Sequence, residues 1–573
     1  FDIGPRETVA LVGESGSGKS VTSMSVLGLL PTATTRLEGR VRFEGRELLG
    51  LDPRALRAIR GGAVSMIFQE PMTSLNPLMT CGVQIAESLE IHRALTGPEA
   101  KAETLRLLDR VRIPDAARRF GEYPHSLSGG MRQRIMIAMA LACSPRLLIA
   151  DEPTTALDVT IQAQILDLIR ELQAEEGMSV LFITHDMGVV AEISDRTVVM
   201  NKGEIVETGT TAQIFSAPRE PYTRALLSAV PRLGMMEGKT APARFPVIDR
   251  VSGLPVPDSD APIKVVKPRP LLKVEGLSKR FDLNKGFFGR VTGRVHAVED
   301  VSFELAHGQT LALVGESGCG KSTTGRSLLR MTEPSAGKVM LDGVDIMGLD
   351  PEALRVQRQH MQMIFQDPYS SLNPRRSIGA SIAEPLLVNG LADAGEAKAR
   401  VEALMERVGL DPLATERFPH EFSGGQRQRI CIARALALEP KLIVADEAVS
   451  ALDVSVKAQV VNLMLDLQES LGIAFIFISH DMAVVERVSH RVAVMYLGEI
   501  VEIGAREAVF GNPQHPYTRR LLSAVPVADP AQRGSRDPSP LDELTSPIRT
   551  VDYQPARRNY ASAGPDHLYQ VNN

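Results

Sequence analysis

The sequence has little of what membrane-spanning, metal-binding and nucleic-acid-binding chains need. Its 573 residues contain no signal-peptide pattern and no apolar run of the roughly 18 residues that a spanning helix requires. We therefore expect that the chain does not cross a membrane by itself. The net charge is −5, from 64 basic and 69 acidic residues without a long basic run, so nucleic acid is not an expected partner.

Cysteine is also scarce, with four residues that lie far apart in the sequence: Cys81, Cys143, Cys319 and Cys431. No two of them have the CxxC spacing of zinc or iron–sulfur sites, so we expect reduced thiols and no such site. Hydrophobic residues make up 44% and charged residues 23%, as in ordinary soluble globular proteins. A chain of this length is expected to fold into about two to four domains.

A glycine-rich octapeptide occurs twice, as GESGSGKS at residues 13–20 and as GESGCGKS at residues 315–322. Each copy follows a short apolar run and precedes a helix-compatible stretch, which is the context of a phosphate-binding loop. Its backbone N–H groups would surround phosphate oxygens at the helix N-terminus. Its lysine would reach the β- and γ-phosphates, and its final serine would hold Mg²⁺. The alternative, a glycine-rich turn that binds nothing, accounts poorly for two copies in one context. The candidate binding residues are Gly13, Ser15, Gly16, Gly18, Lys19 and Ser20, with Gly315, Ser317, Gly318, Gly320, Lys321 and Ser322 in the second copy.

The two loops belong to an internal repeat with an offset of about 300 residues. The further matched segments are MIFQEP (66–71) with MIFQDP (363–368), LSGGM (127–131) with FSGGQ (422–426), LLIADE (147–152) with LIVADE (442–447), ALD (156–158) with ALD (451–453), and THD (184–186) with SHD (479–481). A period this long indicates duplicated domains. Short β-branched runs alternate with amphipathic segments, such as residues 161–173 before residues 179–184, which predicts a mostly parallel sheet with helices on its faces.

The order of these motifs resembles that of ATP-binding-cassette (ABC) ATPases over nearly the whole chain. The resemblance implies an α/β fold with two tandem P-loop NTPase (ABC-type) nucleotide-binding domains. Each would be a mostly parallel sheet with flanking helices plus a helical subdomain. It also implies ATPase activity with ATP and Mg²⁺.

The resemblance assigns a role to each motif residue. Asp151 and Asp446 would fix the Mg²⁺ shell together with Ser20 and Ser322. Glu152 and Glu447 would polarise the attacking water, and His185 and His480 would contact the γ-phosphate. Gln69 and Gln366 would sense Mg²⁺ and the γ-phosphate. In isolation, an acidic pair at a strand end is more often a helix cap.

In this family the Ser-Gly-Gly signature completes the nucleotide pocket of the opposite domain. Its residues here are Ser128, Gly129 and Gly130, with Ser423, Gly424, Gly425 and Gln426 in the second copy; Asp158 and Asp453 are further candidate nucleotide-binding residues. We expect an intramolecular, head-to-tail sandwich that holds two ATP, so that the isolated chain can stay monomeric. One site would pair Lys19 with Ser423, and the other Lys321 with Ser128. Phe281 would be the adenine platform of the second domain, the alternative being a core aromatic residue.

The two copies differ at two motif positions. The first signature has Met131 where the second has Gln426, and Ala448 stands where the first copy has Pro153. Both departures fall in the composite site of Lys321 and Glu447, which we expect to be slower and still active. The alternative is neutral drift.

Each cassette is followed by an extension, PYTRALLSAVP at residues 221–231 and the same eleven residues at 516–526 except that Arg520 replaces Ala225. An ordinary amphipathic helix accounts poorly for ten identities in eleven residues. The extension resembles that of oligopeptide and dipeptide importer ATPases. So do residues 69–77 and 366–374, which in importers line the groove that receives the coupling helix of the permease. The fused arrangement resembles the ATP-binding subunits of bacterial glutathione importers.

These resemblances imply the ATPase of a bacterial importer that takes up peptides, with glutathione as the leading solute. Its partners would be two permease subunits and, indirectly, a periplasmic solute-binding protein, and it would lie peripherally at the cytoplasmic face of the inner membrane. One alternative is an importer for nickel or another small solute. Another is a soluble twin-cassette ATPase of translation or DNA repair, although the charged helical linker and the zinc cysteines of those proteins are missing here.

The expected domain boundaries are 1–215 for the first nucleotide-binding domain, 216–241 for its extension, 242–270 for a linker with seven prolines, 271–508 for the second domain, and 509–573 for the second extension and a proline-rich tail. Aligning the two loops leaves residues 271–302 without a counterpart, so we expect a missing N-terminal segment in the first domain. Residues 527–573 are expected to be draped over the surface or disordered.

Overall fold

The computed structural model describes residues 1–31, 33–155, 157–249, 254–256, 269–285, 290–534, 548–556 and 558–571. Within these ranges the chain forms two cassettes in tandem. No helix among the described residues combines the length and the apolar character that crossing a membrane requires.

The first cassette alternates strands and helices. Its strands are β1 (Thr8–Val12), β2 (Arg42–Phe43), β3 (Arg46–Glu47), β4 (Val64–Ile67), β5 (Leu147–Asp151), β6 (Ser179–Thr184), β7 (Arg196–Asn201) and β8 (Glu204–Thr210). Its helices are α1 (Lys19–Val26), α2 (Pro53–Ile59), α3 (Pro71–Ser74), α4 (Cys81–Arg93), α5 (Gly97–Arg110), α6 (Ala116–Arg119), α7 (Gly129–Leu141), α8 (Val159–Glu176), α9 (Met187–Ile193), α10 (Thr211–Ser216) and α11 (Pro221–Ser228).

The second cassette repeats this order and adds strands at both ends. Its strands are β9 (Pro270–Lys285), β10 (Arg290–Ala306), β11 (Thr310–Val314), β12 (Ala336–Leu341), β13 (Val344–Asp345), β14 (Met361–Ile364), β15 (Leu442–Asp446), β16 (Ala474–Ile478), β17 (Arg491–Tyr496), β18 (Glu499–Ala505), β19 (Ile548–Arg549), β20 (Asn559–Gly564) and β21 (His567–Val571). Its helices are α12 (Lys321–Leu328), α13 (Pro351–Gln357), α14 (Ile378–Val388), α15 (Ala394–Arg407), α16 (Gly424–Leu436), α17 (Val454–Leu471), α18 (Met482–Val488), α19 (Arg506–Gly511) and α20 (Pro516–Ser523).

Each cassette is built on a mostly parallel sheet whose central strand leads into the phosphate loop. The first sheet has the order β4-β5-β6-β1-β7-β8, and the second has β14-β15-β16-β11-β17-β18-β21-β20. In the first sheet β1 runs parallel to both neighbours, β6 and β7. All five residues of β1 are buried, because helices cover both faces of such a sheet. The predicted α/β fold with flanking helices is confirmed.

A helical subdomain precedes each signature. In the first cassette, α4, α5 and α7 bury one face each in a shared core that contains Ile85, Leu107 and Ile135. The second cassette also carries an antiparallel sheet, β13-β12-β9-β10-β19, which packs beside its phosphate loop. The strands β9 and β10 account for the long segment before the second loop that has no counterpart in the first cassette.

The region predicted as a linker begins as a packed segment. Phe245 is 2% exposed, and its backbone N–H donates to the Asn462 side chain of α17 over 2.7 Å. Arg244 forms ion pairs with Asp466 and Glu469 of the same helix. The residues at 242–249 therefore attach the first cassette to the second, while residues 250–253 and 257–268 of the predicted linker lie outside the described residues.

Of the two alternatives for the tail, the described residues follow the first, because they lie on the second cassette as ordered strands. β20 and β21 form a hairpin, and β21 pairs antiparallel with β18. His567, 2% exposed, contacts the buried Glu502 over 2.8 Å. This extension of the sheet was not predicted; residues 535–547 of the tail lie outside the described residues.

Candidate nucleotide sites at the cassette interface

Both phosphate loops connect a central strand to a helix, as predicted. Lys19 and Lys321 are buried at the first position of α1 and α12, and each ammonium group is held by backbone carbonyls of its own loop. Lys19 Nζ donates to Gly13 O over 2.8 Å and to Glu14 O over 2.9 Å. In the second loop, Lys321 Nζ donates to Gly315 O over 2.6 Å and to Glu316 O over 2.9 Å. These bonds aim the ammonium groups into the curl of the loop, where phosphate oxygens would lie.

Gly13 illustrates why the loop needs glycine. Its φ is 153°, and a Cβ placed there would lie 2.2 Å from the backbone oxygen of Met200. The matching Gly315 has the same conflict with Met495 O, at 2.3 Å. A side chain at either position would push the loop off strand β7 or β17, and the phosphate cradle would open.

Next to each loop, the acidic pair closes a compact polar cluster. Glu152 accepts a hydrogen bond from Gln69 Nε2 over 2.9 Å, and its other oxygen lies 3.1 Å from His185 Nδ1. Although burial opposes ionisation, the hydrogen bond and charge of His185 hold the pKa of Glu152 down to about 2. Burial lowers the pKa of His185, and Glu152 more than compensates, so the pKa of His185 is raised. Glu152 is therefore an ionised carboxylate with a fixed orientation.

The second cluster repeats this arrangement with looser histidine contact. Gln366 Nε2 donates to Glu447 Oε2 over 2.7 Å, whereas His480 Nδ1 lies 3.6 Å from Glu447 Oε1. Burial again opposes ionisation of Glu447, and the nearby His480 leaves the pKa of Glu447 lowered. Both glutamates have a φ of 47°, in the left-handed region that non-glycine residues rarely adopt.

The predicted magnesium ligands lie together in each cassette. Ser20 Oγ donates to Asp151 Oδ1 over 3.0 Å, and Ser322 Oγ donates to Asp446 Oδ1 over 2.7 Å. Burial raises the pKa of both aspartates, partly offset by these hydroxyl groups. Hydroxyl, carboxylate and amide oxygens are the hard donors that Mg²⁺ prefers, so the residues fit this ion. Gln69 and Gln366 lie beside these ligands, because they donate hydrogen bonds to Glu152 and Glu447, the residues that follow Asp151 and Asp446.

Each Ser-Gly-Gly signature opens a helix. Ser128 and Ser423 are the N-caps of α7 and α16, and their hydroxyl oxygens accept from the backbone N–H three residues later, over 3.3 Å in both cases. Gly130 and Gly425 pack against Ile161 and Val456, where a Cβ would lie 2.8 and 2.2 Å from the side chain. Gly129 and Gly424 are the exposed first residues of α7 and α16. The positive end of each helix dipole is therefore accessible to an anion.

Two reciprocal contacts join the cassettes. The backbone N–H of Ser15 donates to Asp453 Oδ1 over 2.7 Å, and that of Ser317 donates to Asp158 Oδ1 over 2.7 Å. Each phosphate loop thus meets the segment that follows the acidic strand of the other cassette. Burial raises the pKa of Asp453, whereas the N–H of Ser15 opposes this shift. Each phosphate loop therefore contacts the opposite cassette, while the expected pairing of each loop with the opposite Ser-Gly-Gly signature stays a prediction.

Phe281 is not a core residue. It lies in β9 opposite Val295 of β10, and it is 41% exposed, with the Lys279 ammonium 4.8 Å from its ring centroid. The same strand β10 contacts the phosphate loop, because a Cβ at Gly320 would lie 2.1 Å from Ala297 O. Phe281 is therefore an accessible ring on the sheet beside the second loop.

The structure also places residues in the sites that the sequence analysis did not single out. Tyr222 and Tyr517 of the extension helices accept hydrogen bonds from the backbone N–H of Glu14 and Glu316, over 3.1 and 2.9 Å. Across the interface, Ser455 donates to the Glu14 carboxylate and Thr160 to the Glu316 carboxylate. Identity between the two copies was a usable signal for the glutamates and tyrosines, since both recur in the repeated motifs.

A further difference between the copies lies near the histidines. Lys457 Nζ forms an ion pair with Asp481 Oδ2 over 2.9 Å, whereas Gln162 at the matching position of α8 donates to Asp186 Oδ2 over 3.3 Å. Burial lowers the pKa of Lys457, and the nearby Asp481 and Asp186 raise it further than burial lowers it. At this matched pair of positions, the pseudo-symmetric interface therefore has a lysine cation on one side and a neutral glutamine amide on the other.

Comparison with known proteins agrees with this geometry. A family model described as "ABC transporter" matches residues 1–155 and 298–450, and one described as "Oligopeptide/dipeptide transporter, C-terminal region" matches residues 206–247 and 501–548. The chain is 56% identical over 574 residues to the glutathione import ATP-binding protein GsiA of Pectobacterium atrosepticum, covering 99% of this chain and 92% of that protein. It is 57% identical over 576 residues to GsiA of Shigella flexneri, with the same coverage.

Among solved structures, a dimeric ATP-binding cassette in a post-hydrolysis state with ADP and Pi is 25% identical, covering 41% of this chain and 99% of that chain with a TM-score of 0.37. The two family models and the curated relatives carry the assignment. This chain belongs to the ATP-binding proteins of ABC transporters, in the oligopeptide and dipeptide importer group, and is an ATPase of that family.

Proposed function

We propose that this chain binds and hydrolyses two ATP molecules at two composite sites, one built on Lys19 and one on Lys321. The observation that carries the proposal is the reciprocal contact of Ser15 with Asp453 and of Ser317 with Asp158. In this arrangement the signature helix at Ser423 faces the Lys19 site, and that at Ser128 faces the Lys321 site. Nucleotide charge buried between the halves would stabilise their association, and hydrolysis would loosen it.

Within the first site the residues divide the work. Lys19 places a positive charge against the phosphates, and Ser20, Gln69 and Asp151 would hold Mg²⁺, which neutralises phosphate charge when bound. Glu152 would orient and polarise the attacking water in this site. Gln69 and His185 fix the two oxygens of Glu152. The Lys321 site uses Ser322, Gln366, Asp446, Glu447 and His480 in the same roles.

We infer that the ATPase drives import of peptides, with glutathione as the solute, at the cytoplasmic face of the bacterial inner membrane. Supporting this, the curated relatives that match at 56–58% identity carry the name of a glutathione import ATP-binding protein. The residues at 69–77 and 366–374 would receive the coupling helices of two permease subunits. Exposed apolar side chains occur in and beside these segments, including Tyr369 at 54% and Leu78 at 85% exposure. A periplasmic solute-binding protein would deliver the solute. The alternatives are an importer for nickel or another small solute and a soluble ATPase of translation or repair.

Nucleotide titration of Lys19→Ala and Lys321→Ala tests the sites. Each variant is expected to lose tight binding at one site, because removing a buried cationic donor to phosphate costs about 1.5–3 kcal/mol. Lys398→Ala, in an exposed part of α15, is the matched control and should bind like the wild type. Wild-type stoichiometry and affinity in both loop variants would overturn the assignment.

A second experiment tests the solute. The wild-type chain is co-expressed with the proposed permease and solute-binding protein partners, and uptake of labelled glutathione is compared with uptake of nickel. We expect ATP-dependent uptake of glutathione that Glu152→Gln abolishes. Nickel uptake without glutathione uptake would contradict the solute assignment and leave the ATP sites standing.

A further inference from the structure

The two repeated extension segments, 221–231 and 516–526, differ at one position in eleven, and this position contacts the second phosphate loop. Arg520 of α20 replaces Ala225 of α11, and its Nη2 lies 3.3 Å from Glu316 Oε1. The Glu316 side chain is 3% exposed and that of Arg520 is 22% exposed. The only departure in the repeat therefore adds a cation next to a buried carboxylate.

Glu316 connects three parts of the Lys321 site. Its backbone N–H donates to the Tyr517 hydroxyl over 2.9 Å, and its backbone oxygen accepts from Lys321 Nζ over 2.9 Å. Its carboxylate accepts from the hydroxyl of Thr160, at the start of α8 in the opposite cassette. Holding the Glu316 side chain in place therefore also positions the Glu316 backbone carbonyl, which accepts from Lys321. The same side chain joins the second phosphate loop to the first cassette through Thr160.

The first site has the same connections without the added cation at this helix position. Tyr222 accepts from Glu14 N, Lys19 donates to Glu14 O, and Ser455 donates to the Glu14 carboxylate. The methyl group of Ala225 offers no charge. Glu14 is half-buried, whereas Glu316 is buried.

We propose that Arg520 is a positioning residue that makes the Lys321 site the slower of the two in releasing nucleotide. The guanidinium holds the Glu316 carboxylate against Thr160, so that the second loop stays closed on the first cassette. This inference rests on the proposed function, since it concerns the two ATP sites. It assigns a role to the extension helix α20, which contacts both the second phosphate loop and α8 of the first cassette.

The test is the release of a fluorescent ADP analogue, followed by stopped-flow dilution into excess ADP. Two release phases are expected in the wild type, and Lys19→Ala and Lys321→Ala identify the site that each phase reports. Arg520→Ala, which recreates the residue of the first copy, should accelerate the Lys321 phase about fivefold and leave the Lys19 phase unchanged. Arg520→Lys keeps a charge without the planar fork and should fall between the two. Arg519→Ala, one residue away on α20 and exposed, is the matched control and should change neither phase.

A double-mutant cycle decides whether Arg520 acts through Glu316. If it does, Arg520→Ala adds little to the effect of Glu316→Gln on the Lys321 phase. Additive effects, an unchanged Lys321 phase in Arg520→Ala, or equal acceleration of both phases would each overturn the inference. If neither lysine variant removes a phase, the two-site assignment itself fails and the inference falls with it; if both do, only the role of Arg520 is in question.

Discussion

At the residue scale, the two signatures differ in how they cap their helices. Gln426 Oε1 accepts from Ser423 N over 2.9 Å while Ser423 Oγ accepts from Gln426 N, a reciprocal capping box. The first signature keeps the bond from Met131 N to Ser128 Oγ, but a thioether is a poor acceptor for the second bond. The backbone of Ser128, which faces the Lys321 site in the proposed arrangement, is therefore less firmly held.

Single-turnover hydrolysis by the Glu447→Gln and Glu152→Gln variants measures whether the weaker cap at Ser128 slows the Lys321 site, because each variant leaves one site intact. Glu447→Gln retains the Lys19 site with its complete capping box and should be the faster, by about two- to fivefold for a difference of roughly 0.5–1 kcal/mol. Adding Met131→Gln to the Glu152→Gln variant should reduce the difference in hydrolysis rate between the two sites. Equal rates in the two single variants would remove any kinetic meaning from Met131 and Ala448.

At the element scale, the same backbone group is satisfied by different side chains in the two sheets. The N–H at the start of β1, from Thr8, donates to Asp195 Oδ2 over 2.9 Å, whereas the N–H of Thr310 at the start of β11 donates to His490 Nδ1 over 3.1 Å. A histidine that accepts at Nδ1 must be neutral there. Burial, and then the charge of Arg506, holds the pKa of His490 down to about 4.

Stability of the second cassette should consequently depend on pH. Since the pKa of His490 is depressed in the folded state from an ordinary value of 6.5, its contribution is complete above about pH 6.5. The contribution is lost as the pH falls toward 4, where the unfolded chain binds the proton more readily, and the loss amounts to about 3 kcal/mol. The free energy of unfolding in urea, measured at several pH values between 4 and 6.5, should show this loss. His490→Asn keeps an acceptor that does not titrate, so its stability should vary less with pH; an unchanged pH profile would contradict the assignment.

At the scale of the whole molecule, the cassettes share a core as well as two loop contacts. One continuous cluster of buried hydrophobic residues contains Val12 and Val159 of the first cassette with Val314 and Val454 of the second. Phe245 belongs to the same cluster, and the Arg487 guanidinium lies 4.9 Å from its ring. The segment at 242–249 thus holds the halves together without nucleotide.

Shortening a side chain in residues 242–249 tests whether this segment holds the two cassettes together. Phe245→Ala removes a buried aromatic ring and should destabilise the second cassette by about 3–5 kcal/mol. Scanning calorimetry is expected to show a coupled transition in the wild type and two separated transitions in the variant. Val247→Ala, at a more exposed residue of the same segment, serves as the control. If the Phe245→Ala and Val247→Ala variants show the same calorimetric transitions, residues 242–249 do not hold the cassettes together.

The sequence by itself determined the fold class, the duplicated cassettes and the grouping of the candidate site residues. Each phosphate loop, acidic strand end and signature depends on contiguous residues, so that local spacing carries the information. The strands and helices that flank Lys19, Asp151 and Ser128 follow from apolar periodicity for the same reason.

Only the tertiary structure decided the contacts between distant segments. Pairing of β21 with β18, burial of Phe245 on α17 and the contact of Arg520 with Glu316 join residues that are tens to hundreds of positions apart. Such contacts depend on which surfaces the fold brings together, and periodicity within a segment does not specify its partner. The single change from Ala225 to Arg520 was visible in the sequence, but its meaning was not, because a charge acquires a role only from the buried carboxylate that it faces.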